Sequence, residues 1–305
     1  MTSSVARGGA VTAGDPPGAA ERDLGAVAEP IFVFGGPCSN LEATTAVLAE
    51  ARRRGFPPAR ILCTGDVVAY CADAQATVDA VRAAGVHVVM GNCEESLGFD
   101  KDDCGCGFPE GSTCDLLAAQ WFAHARATLD DGARAWMRAL PRRLRLTMNG
   151  RRLAVIHGGG GDIARYVFAS TPAADKAAEL DRLDADGVIG GHAGLPFTDL
   201  VEDRLWHNAG SVGLPANDGT PRAWFSVLAP DGGGIAITHH PLDYDHARAA
   251  AKMRAAGLPA AYARTLEDGL WPDMRVLPEA ERRLRARPLT PGAVHWSAGE
   301  RRAAR

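Results

Sequence analysis

Three short apolar segments decide the fold of this chain: IFVFGGPCSN (31–40), RILCTGD (60–66) and VHVVMGN (86–92). Each begins with a run of strand length and ends in glycine and polar residues. A helical pattern capped by Asn40 separates the first two, and a second helical pattern (74–84) separates the last two. Strand and helix alternate, which predicts a parallel sheet covered by helices.

Polar side chains follow all three of these predicted strands. Cys38 and Asn40 follow the first strand, Asp66 ends the second, and Asn92 and Cys93 end the third. The carboxyl ends of parallel strands meet at one edge of a sheet, and ligands bind in the loops beyond it. The sequence therefore predicts a functional site at this edge.

The second half of the domain adds two further strand ends and an antiparallel region. A predicted hairpin turns at Asn149-Gly150, and its second strand runs into His157. The buried strand DGVIGGHAG (186–194) runs into His192, and four further strands with turns between them follow up to residue 241. This pattern predicts an α/β fold in which two mixed sheets pack face to face with helices outside.

Composition limits the classes of function. The chain has 305 residues, of which 46% are apolar, and a net charge of −4, which gives no basic field to hold a nucleic acid. It contains no apolar run long enough to span a membrane and no signal-peptide pattern, so we expect a cytoplasmic protein with neither a nucleic-acid nor a membrane partner. We expect a disordered leader (1–29), one domain (30–256), and a helical extension ending in an Arg- and Pro-rich tail (257–305).

Seven cysteines are present, an odd number that argues against a disulfide framework. Cys104 and Cys106 lie in an irregular Gly- and Asp-rich segment (96–113), and their Cys-x-Cys spacing is not that of a zinc knuckle. The pair could form a labile disulfide, provide a lid thiol or hold a second small metal site. Cys71 lies on a loop facing the same edge as Cys38 and Cys93.

The order of motifs after the strands resembles the calcineurin-like metallophosphoesterase superfamily. The matching segments are SNLEAT, ILCTGDVVAY, VVMGN, LAVIHG, DGVIGGH and HNAGSVGLPANDGTPRAWF, within about residues 30–256. The similarity is closest to small bacterial members of the diadenosine-tetraphosphatase-like and phosphodiesterase-like branch. It implies a four-layer fold of two mixed sheets flanked by helices, and hydrolysis of a small-molecule phosphate ester or phosphoanhydride at two metal ions.

Carried over residue by residue, the resemblance implies one intact metal position. Asp66 would be the bridging carboxylate and a catalytic residue, and Asn92, His157 and His192 would complete the sphere around a divalent Mn, Fe or Zn ion. The other position departs from the family pattern: Asp-x-His becomes Gly36-Pro37-Cys38, and Gly-His-x-His ends in Gly194.

Two outcomes fit these departures. In one, a single metal ion remains, giving either a weak hydrolase or a non-catalytic metal-binding descendant of the fold. In the other, thiols rebuild the site so that it holds a second ion. Cys38 serves as a ligand, and Cys93, which replaces the family's Gly-Asn-His histidine, serves as a catalytic or redox thiol. Inert packing is the other interpretation of both cysteines. Asn40 and Arg165 are candidates for contact with the substrate phosphate.

Overall fold

The computed structural model describes residues 21–108 and 110–297. Within them the chain forms twelve strands, nine α-helices and one 3₁₀ turn (Pro58–Arg60). The strands are β1 (Glu21–Ala26), β2 (Ile31–Phe34), β3 (Ile61–Cys63), β4 (His87–Val88), β5 (Arg143–Met148), β6 (Arg151–Val155), β7 (Gly187–Gly190), β8 (Phe197–Val201), β9 (Arg204–Asn208), β10 (Ala223–Asp231), β11 (Gly234–Leu242) and β12 (Ala293–Trp296). The helices are α1 (Leu41–Arg53), α2 (Ala74–Ala84), α3 (Asn92–Gly98), α4 (Thr113–Thr128), α5 (Asp131–Arg138), α6 (Ala173–Arg182), α7 (His246–Ala255), α8 (Ala260–Asp268) and α9 (Glu279–Arg282).

The strands form two six-stranded mixed sheets. The first has the order β1-β5-β6-β7-β9-β8 and the second β12-β11-β10-β2-β3-β4. The parallel pairs β2–β3 and β3–β4 lie in the second sheet, and β6–β7 and β7–β9 lie in the first. Parallel and antiparallel pairing therefore occur in both sheets, and the predicted fold class is confirmed.

The core lies in layers that follow from this pairing. Between the sheets, apolar side chains from both inner faces pack together, among them Val33, Leu62, Val155 and Ile189. The outer face of the second sheet packs against α1, α2, α4, α5, α7 and α8 in one large cluster. Leu180 of α6 packs against the outer face of the first sheet. The result is the predicted four-layer arrangement.

The chain termini differ from the sequence-based expectation. Residues 21–26, assigned to the leader, form β1, which pairs in parallel with β5; residues 1–20 lie outside the described part. The C-terminal tail contributes β12, which pairs with β11 and buries Trp296 between the sheets. Both strands lie at sheet edges, where pairing depends on a neighbour that is distant in sequence. A domain boundary at residue 30 or 256 would therefore cut through these sheets.

Among the described residues, no helix combines the length and apolar character needed to cross a membrane.

Candidate metal centre

The site lies where the carboxyl ends of strands from both sheets meet. Asp66 follows β3, Asn92 begins α3 just after β4, His157 follows β6, and His192 follows β7. Backbone hydrogen bonds join these loops: Gly36 N–H donates to Gly65 O at 3.1 Å, and Gly191 N–H donates to His157 O at 2.7 Å. The four residues predicted to converge at this edge do so.

Three potential ligand atoms lie close to His157 Nε2. His157 Nε2 lies 2.9 Å from Asn92 Oδ1, 3.1 Å from His192 Nδ1 and 3.3 Å from Asp66 Oδ2. Ligand atoms of Asp66, His157 and His192 all lie within 4.8 Å of one another. Ligands bound at about 2.1 Å from one metal ion are separated by about 3 Å along an edge of its coordination shell, so these spacings suit a single cation.

Neighbouring groups fix the orientation of three of these side chains. His157 Nδ1 lies 2.6 Å from Thr64 O and must carry the hydrogen, because a carbonyl oxygen only accepts. Asn92 Nδ2 donates to Cys104 O at 2.9 Å, which turns Oδ1 toward His157. Asp66 Oδ1 accepts from Cys93 N–H at 3.3 Å, which leaves Oδ2 for the centre. This arrangement of outer contacts is typical of metal sites.

The chemistry of the donor set fits a divalent cation. When His157 is neutral, its Nε2 lone pair faces Asn92 Oδ1 and Asp66 Oδ2, which also only accept hydrogen bonds. These lone pairs repel one another unless a positive charge lies between them. Burial alone would raise the pKa of Asp66, but the adjacent His157 lowers it. Burial alone would lower the pKa of His157, but the Asp66 carboxylate raises it. A divalent ion bound by these atoms would balance the Asp66 carboxylate in place of a proton.

Backbone conformation also marks this site. Asp66 and His192 have φ values of +53° and +58°, in the left-handed region that residues other than glycine rarely adopt. Such conformations persist only where the surrounding structure holds them, and they are frequent at functional sites.

Glu94 supports the loop that carries Asp66 through hydrogen bonds to the backbone. Its side chain is fully buried; Oε2 accepts from the N–H groups of Asp66 and Gly91, and Oε1 accepts from that of Val68, at distances of 2.8 to 3.1 Å. Burial and then the charge of Asp66 raise the pKa of Glu94 to about 7. The side chain therefore supports the loop that carries Asp66.

Gly36 and Gly194, which stand where the family has ligands of the other metal site, both line the cavity beside Asp66, together with Ser211 and Trp271. A Cβ added to Gly194 would lie 3.3 Å from the Trp271 ring, and one added to Gly36 would lie 2.8 Å from Ser211 Oγ. Trp271 is held in place by hydrogen bonds from its backbone N–H to Asn217 Oδ1 and from its indole N–H to Pro215 O. Larger side chains at these two positions would therefore meet close neighbours.

The two candidate cysteines occupy different places. Cys38 lines a cavity of about 60 Å³ together with Asp66, His157 and His192, and its Sγ lies 3.8 Å from Ser211 Oγ. Cys93 lies in the first turn of α3, and its Sγ is 3.5 Å from Asn92 Nδ2. Burial, and then the charge of Asp66, raise the pKa of both thiols. Their roles as ligand or nucleophile stay predictions.

The two predicted substrate contacts are engaged elsewhere. Asn40 is buried; its Oδ1 accepts from Ala43 N–H at the start of α1, and its Nδ2 donates to Gly213 O. Arg165 Nη1 donates to Glu179 Oε1 at 2.6 Å. Neither side chain lines the cavity beside Asp66, so the structure does not bring them together with the metal-binding residues.

The cavity walls contain residues that sequence reasoning did not single out. Tyr70, Leu214 and Trp271 line both the cavity beside Asp66 and an adjoining cavity of about 50 Å³, which Tyr166 and Tyr262 also line. Tyr70 lies four residues after Asp66 in the matching segment, so its proximity could have been inferred. Trp271 lies in the C-terminal extension, where no motif in the sequence marks it.

Comparisons with known proteins agree with this geometry. A family model described as a calcineurin-like phosphoesterase superfamily domain matches residues 39–231. A crystal structure of a metallophosphoesterase from Sphaerobacter thermophilus is 25% identical, with a TM-score of 0.62 over 80% of this chain and 100% of that one. The hypothetical protein PH1004 from Pyrococcus horikoshii OT3 is 15% identical, with a TM-score of 0.67 over 79% and 99% of the respective chains, and shares the fold. No curated protein matches the chain in sequence.

The family model covers well over half of the chain and includes all four residues that surround the centre. The chain therefore belongs to the calcineurin-like phosphoesterase superfamily.

Proposed function

We propose that this protein hydrolyses a small-molecule phosphate ester or phosphoanhydride at a single divalent metal ion held by Asp66, Asn92, His157 and His192. The observation that carries the proposal is the position of His157 Nε2, within 3.3 Å of Asn92 Oδ1, His192 Nδ1 and Asp66 Oδ2. Membership of a metal-dependent phosphoesterase superfamily supports the reaction class.

When bound, a divalent ion would polarise the phosphoryl group and lower the pKa of a water molecule near it. The residues of the chain provide the setting for that chemistry. Asp66 supplies the negative charge, His157 is kept as an Nε2 ligand by Thr64 O, and Asn92 adds a neutral oxygen. Tyr70, Leu214 and Trp271 form part of the cavity wall beside these ligands. We leave the metal open among Mn, Fe and Zn, which all accept this donor set.

The cavity sets a limit on what enters it. Its volume of about 60 Å³ is far below the roughly 300 Å³ of even a small ligand pocket. A phosphoryl group can approach the ligands, while the rest of the substrate would lie beyond the cavity. Arg165 and Asn40 remain proposed phosphate contacts only if they release Glu179 and Gly213.

The test combines metal analysis with an assay of a chromogenic phosphodiester in the presence of Mn²⁺. Asp66→Asn keeps the size of the side chain but removes its charge, and we expect it to lower both metal affinity and turnover by at least about 100-fold. Asp79→Asn, at an exposed carboxylate of α2, is the matched control and should leave both unchanged. Metal-free protein without activity in any divalent ion would contradict the proposal.

A second candidate function is metal binding without catalysis. The close approach of Trp271 to Gly194 and of Ser211 to Gly36 favours it, because ligand side chains at these two positions would meet those neighbours. It predicts one tightly bound ion per chain and no turnover of any phosphate substrate. Turnover that is abolished by Asp66→Asn would exclude it.

A thiol-assisted reaction is the third proposal, and Cys38 is better placed for it than Cys93 because only Cys38 lines the cavity. Cys38→Ser would lower metal affinity or turnover if the thiol takes part, and Cys93→Ser is the comparison. A cytoplasmic location and the absence of a nucleic-acid or membrane partner also remain proposals, tested by fractionation of cells and by binding assays.

A further inference from the structure

A disulfide lies next to Asn92 of the candidate metal centre. It joins Cys104 to Cys106 in the irregular segment between α3 and α4. Both of its cysteines are buried, with 6% and 4% of the residue exposed, and the other five cysteines are free and also buried. Neither the family resemblance nor the proposed hydrolysis assigns a role to this pair.

A cavity of about 370 Å³ opens onto this disulfide, and both of its cysteines form part of the cavity wall. The polar side chains in the wall are Asp102, Asp103, Asp115 and Arg126. The guanidinium of Arg126 pairs with Asp100 at 2.7 Å, so the surroundings carry more negative than positive charge. A small molecule can reach the disulfide here, and an anionic one would be repelled.

The Cys104–Cys106 segment contacts the proposed metal ligand Asn92 directly and His192 through Tyr166. Asn92 Nδ2 donates to Cys104 O at 2.9 Å and lies 3.5 Å from Cys106 Sγ. Tyr166 Oη donates to Cys106 O at 2.9 Å, and its ring centroid lies 4.1 Å from that of His192.

The segment also packs tightly against α3. A Cβ added to Gly105 would lie 3.1 Å from Ser96 Oγ and 3.8 Å from Asn92 Cβ. Little space separates the two, so a shift of the segment changes the surroundings of Asn92.

We propose that Cys104–Cys106 is a thiol–disulfide exchange site for small uncharged or cationic thiols, and that its reduction loosens Asn92 and weakens the metal centre. The effect of reduction on the metal centre rests on the proposed function, whereas the thiol–disulfide exchange does not.

The exchange takes place in two steps. A thiolate from the small thiol attacks one sulfur of the pair, forms a mixed disulfide and expels the other cysteine as a thiolate, which takes up a proton. A second thiolate attacks the sulfur of the small thiol in the mixed disulfide and releases the second cysteine. The pair gains two electrons and two protons, and two molecules of the small thiol are oxidised to their disulfide.

Reduction affects Asn92 through geometry. A disulfide holds its two sulfurs about 2.05 Å apart, and two separate thiols cannot remain so close. The Cys104–Cys106 segment must therefore widen, and Asn92 Nδ2 loses the positions of its two partners. Freed from them, the amide can rotate, so that Oδ1 no longer points steadily toward His157.

The exchange is tested without any metal or substrate. The oxidised full-length protein is treated with cysteamine, a cationic thiol, or with 2-mercaptoethanesulfonate, an anionic one; folded protein is then alkylated and its peptides are mapped by mass spectrometry. We expect Cys104 and Cys106 to be labelled only after reduction, and the other five cysteines only after unfolding. Per thiolate, cysteamine should react faster at low ionic strength, with the difference shrinking as salt is added. An unlabelled pair, or equal rates at low salt, would overturn the exchange site.

The coupling is tested by Mn²⁺ titration calorimetry on the oxidised and the reduced protein. We expect reduction to weaken Mn²⁺ binding by about 10-fold. Cys104→Ser should bind with the weaker affinity under both conditions, and Cys114→Ala, at a buried free cysteine, should keep the response to reduction. Equal affinity of the oxidised and reduced wild-type protein would overturn the coupling, even if Cys104→Ser fails to fold. If Mn²⁺ affinity responds to reduction but no substrate is hydrolysed, only the proposed hydrolase activity is refuted. If substrate is hydrolysed but Mn²⁺ affinity does not respond to reduction, only the coupling between disulfide and metal centre is refuted.

Discussion

Glu94 is a single buried carboxylate that supports the Asp66 loop of the proposed metal site. Its two oxygens accept three backbone N–H groups, one of them from Asp66. Glu94→Ala would leave those donors unpaired in a buried site, so we expect a loss of about 2–4 kcal/mol in the free energy of unfolding. Because the Asp66 loop would lose its support, metal affinity should also fall about 10- to 100-fold.

The neighbouring Glu95 is the matched control. It lies on the same helix but pairs with Lys101 and Arg142 at the outer side of α3. Glu95→Gln should leave metal affinity unchanged in calorimetry, while urea denaturation reports a smaller loss of stability. If both variants bind metal as the wild type does, Glu94 has no part in positioning Asp66.

His207 predicts how stability depends on pH. It is fully buried, with Thr198 Oγ1 2.9 Å from Nδ1 and Ser226 Oγ 2.7 Å from Nε2. Burial, and then the neighbouring His239, hold the pKa of His207 well below 6.5. Since the unfolded chain takes up a proton near pH 6.5 and the folded chain does not, stability is lost as the pH falls through that value.

Each such histidine contributes a slope of up to about 1.4 kcal/mol per pH unit to the free energy of unfolding. Urea denaturation between about pH 5 and pH 8 should therefore show a smaller slope for His207→Gln than for the wild type. An unchanged slope in His207→Gln would mean that His207 is protonated in the folded protein.

At the scale of elements, Asn40 joins the start of α1 to a distant loop. Its Oδ1 accepts from Ala43 N–H, and its Nδ2 donates to Gly213 O. Asn40→Ala should cost about 1–2 kcal/mol through the lost helix cap and about 1 kcal/mol more through the lost hydrogen bond. Ser112→Ala removes the cap of α4 alone and should cost less in the same denaturation experiment. If Asn40 only supports the fold, activity per folded molecule stays constant; a selective rise in KM would instead identify it as a phosphate contact.

Helices and central strands were predictable because their signals are local. Asn40 and Gly85 mark the start of α1 and the end of α2, as the sequence indicated. The Asn149-Gly150 turn joins β5 to β6 as expected. The strand expected to reach Asn92 ends at Val88, and α3 begins at Asn92. A buried apolar run without alternation does not fix where extended backbone gives way to helix.

Edge strands and cavity walls could not be predicted for a different reason. The sequence of β1, ERDLGA, carries charged residues and no strand alternation, and it is ordered by its pairing with β5. Trp271 lies 77 residues after Gly194 in the chain, yet the two are in contact. Such contacts depend on how distant segments pack, and a single sequence does not encode them in any local pattern. The ligands were predictable because each follows a strand that the sequence itself marks.

The molecule as a whole brings the four proposed metal ligands together and places close neighbours beside the positions of the second family site. The C-terminal extension, which follows the region matched by the family model, carries Trp271 and Tyr262 over the edge where both sheets end. The surroundings of the second position thus depend on the whole chain, since they include Trp271 of the extension as well as Gly36 and Gly194.

This arrangement predicts the number of metal ions. We expect elemental analysis of purified protein to give one ion per chain. Restoring the family ligands with Gly36→Asp, Cys38→His and Gly194→His should not raise that number, because the new side chains would meet Ser211 and Trp271. Adding Trp271→Ala removes one obstacle, so the combined variant should bind a second ion more tightly than the triple variant does. Two ions in the wild-type protein would show that Cys38 or another group already rebuilds the second position, and the mononuclear mechanism would have to be abandoned.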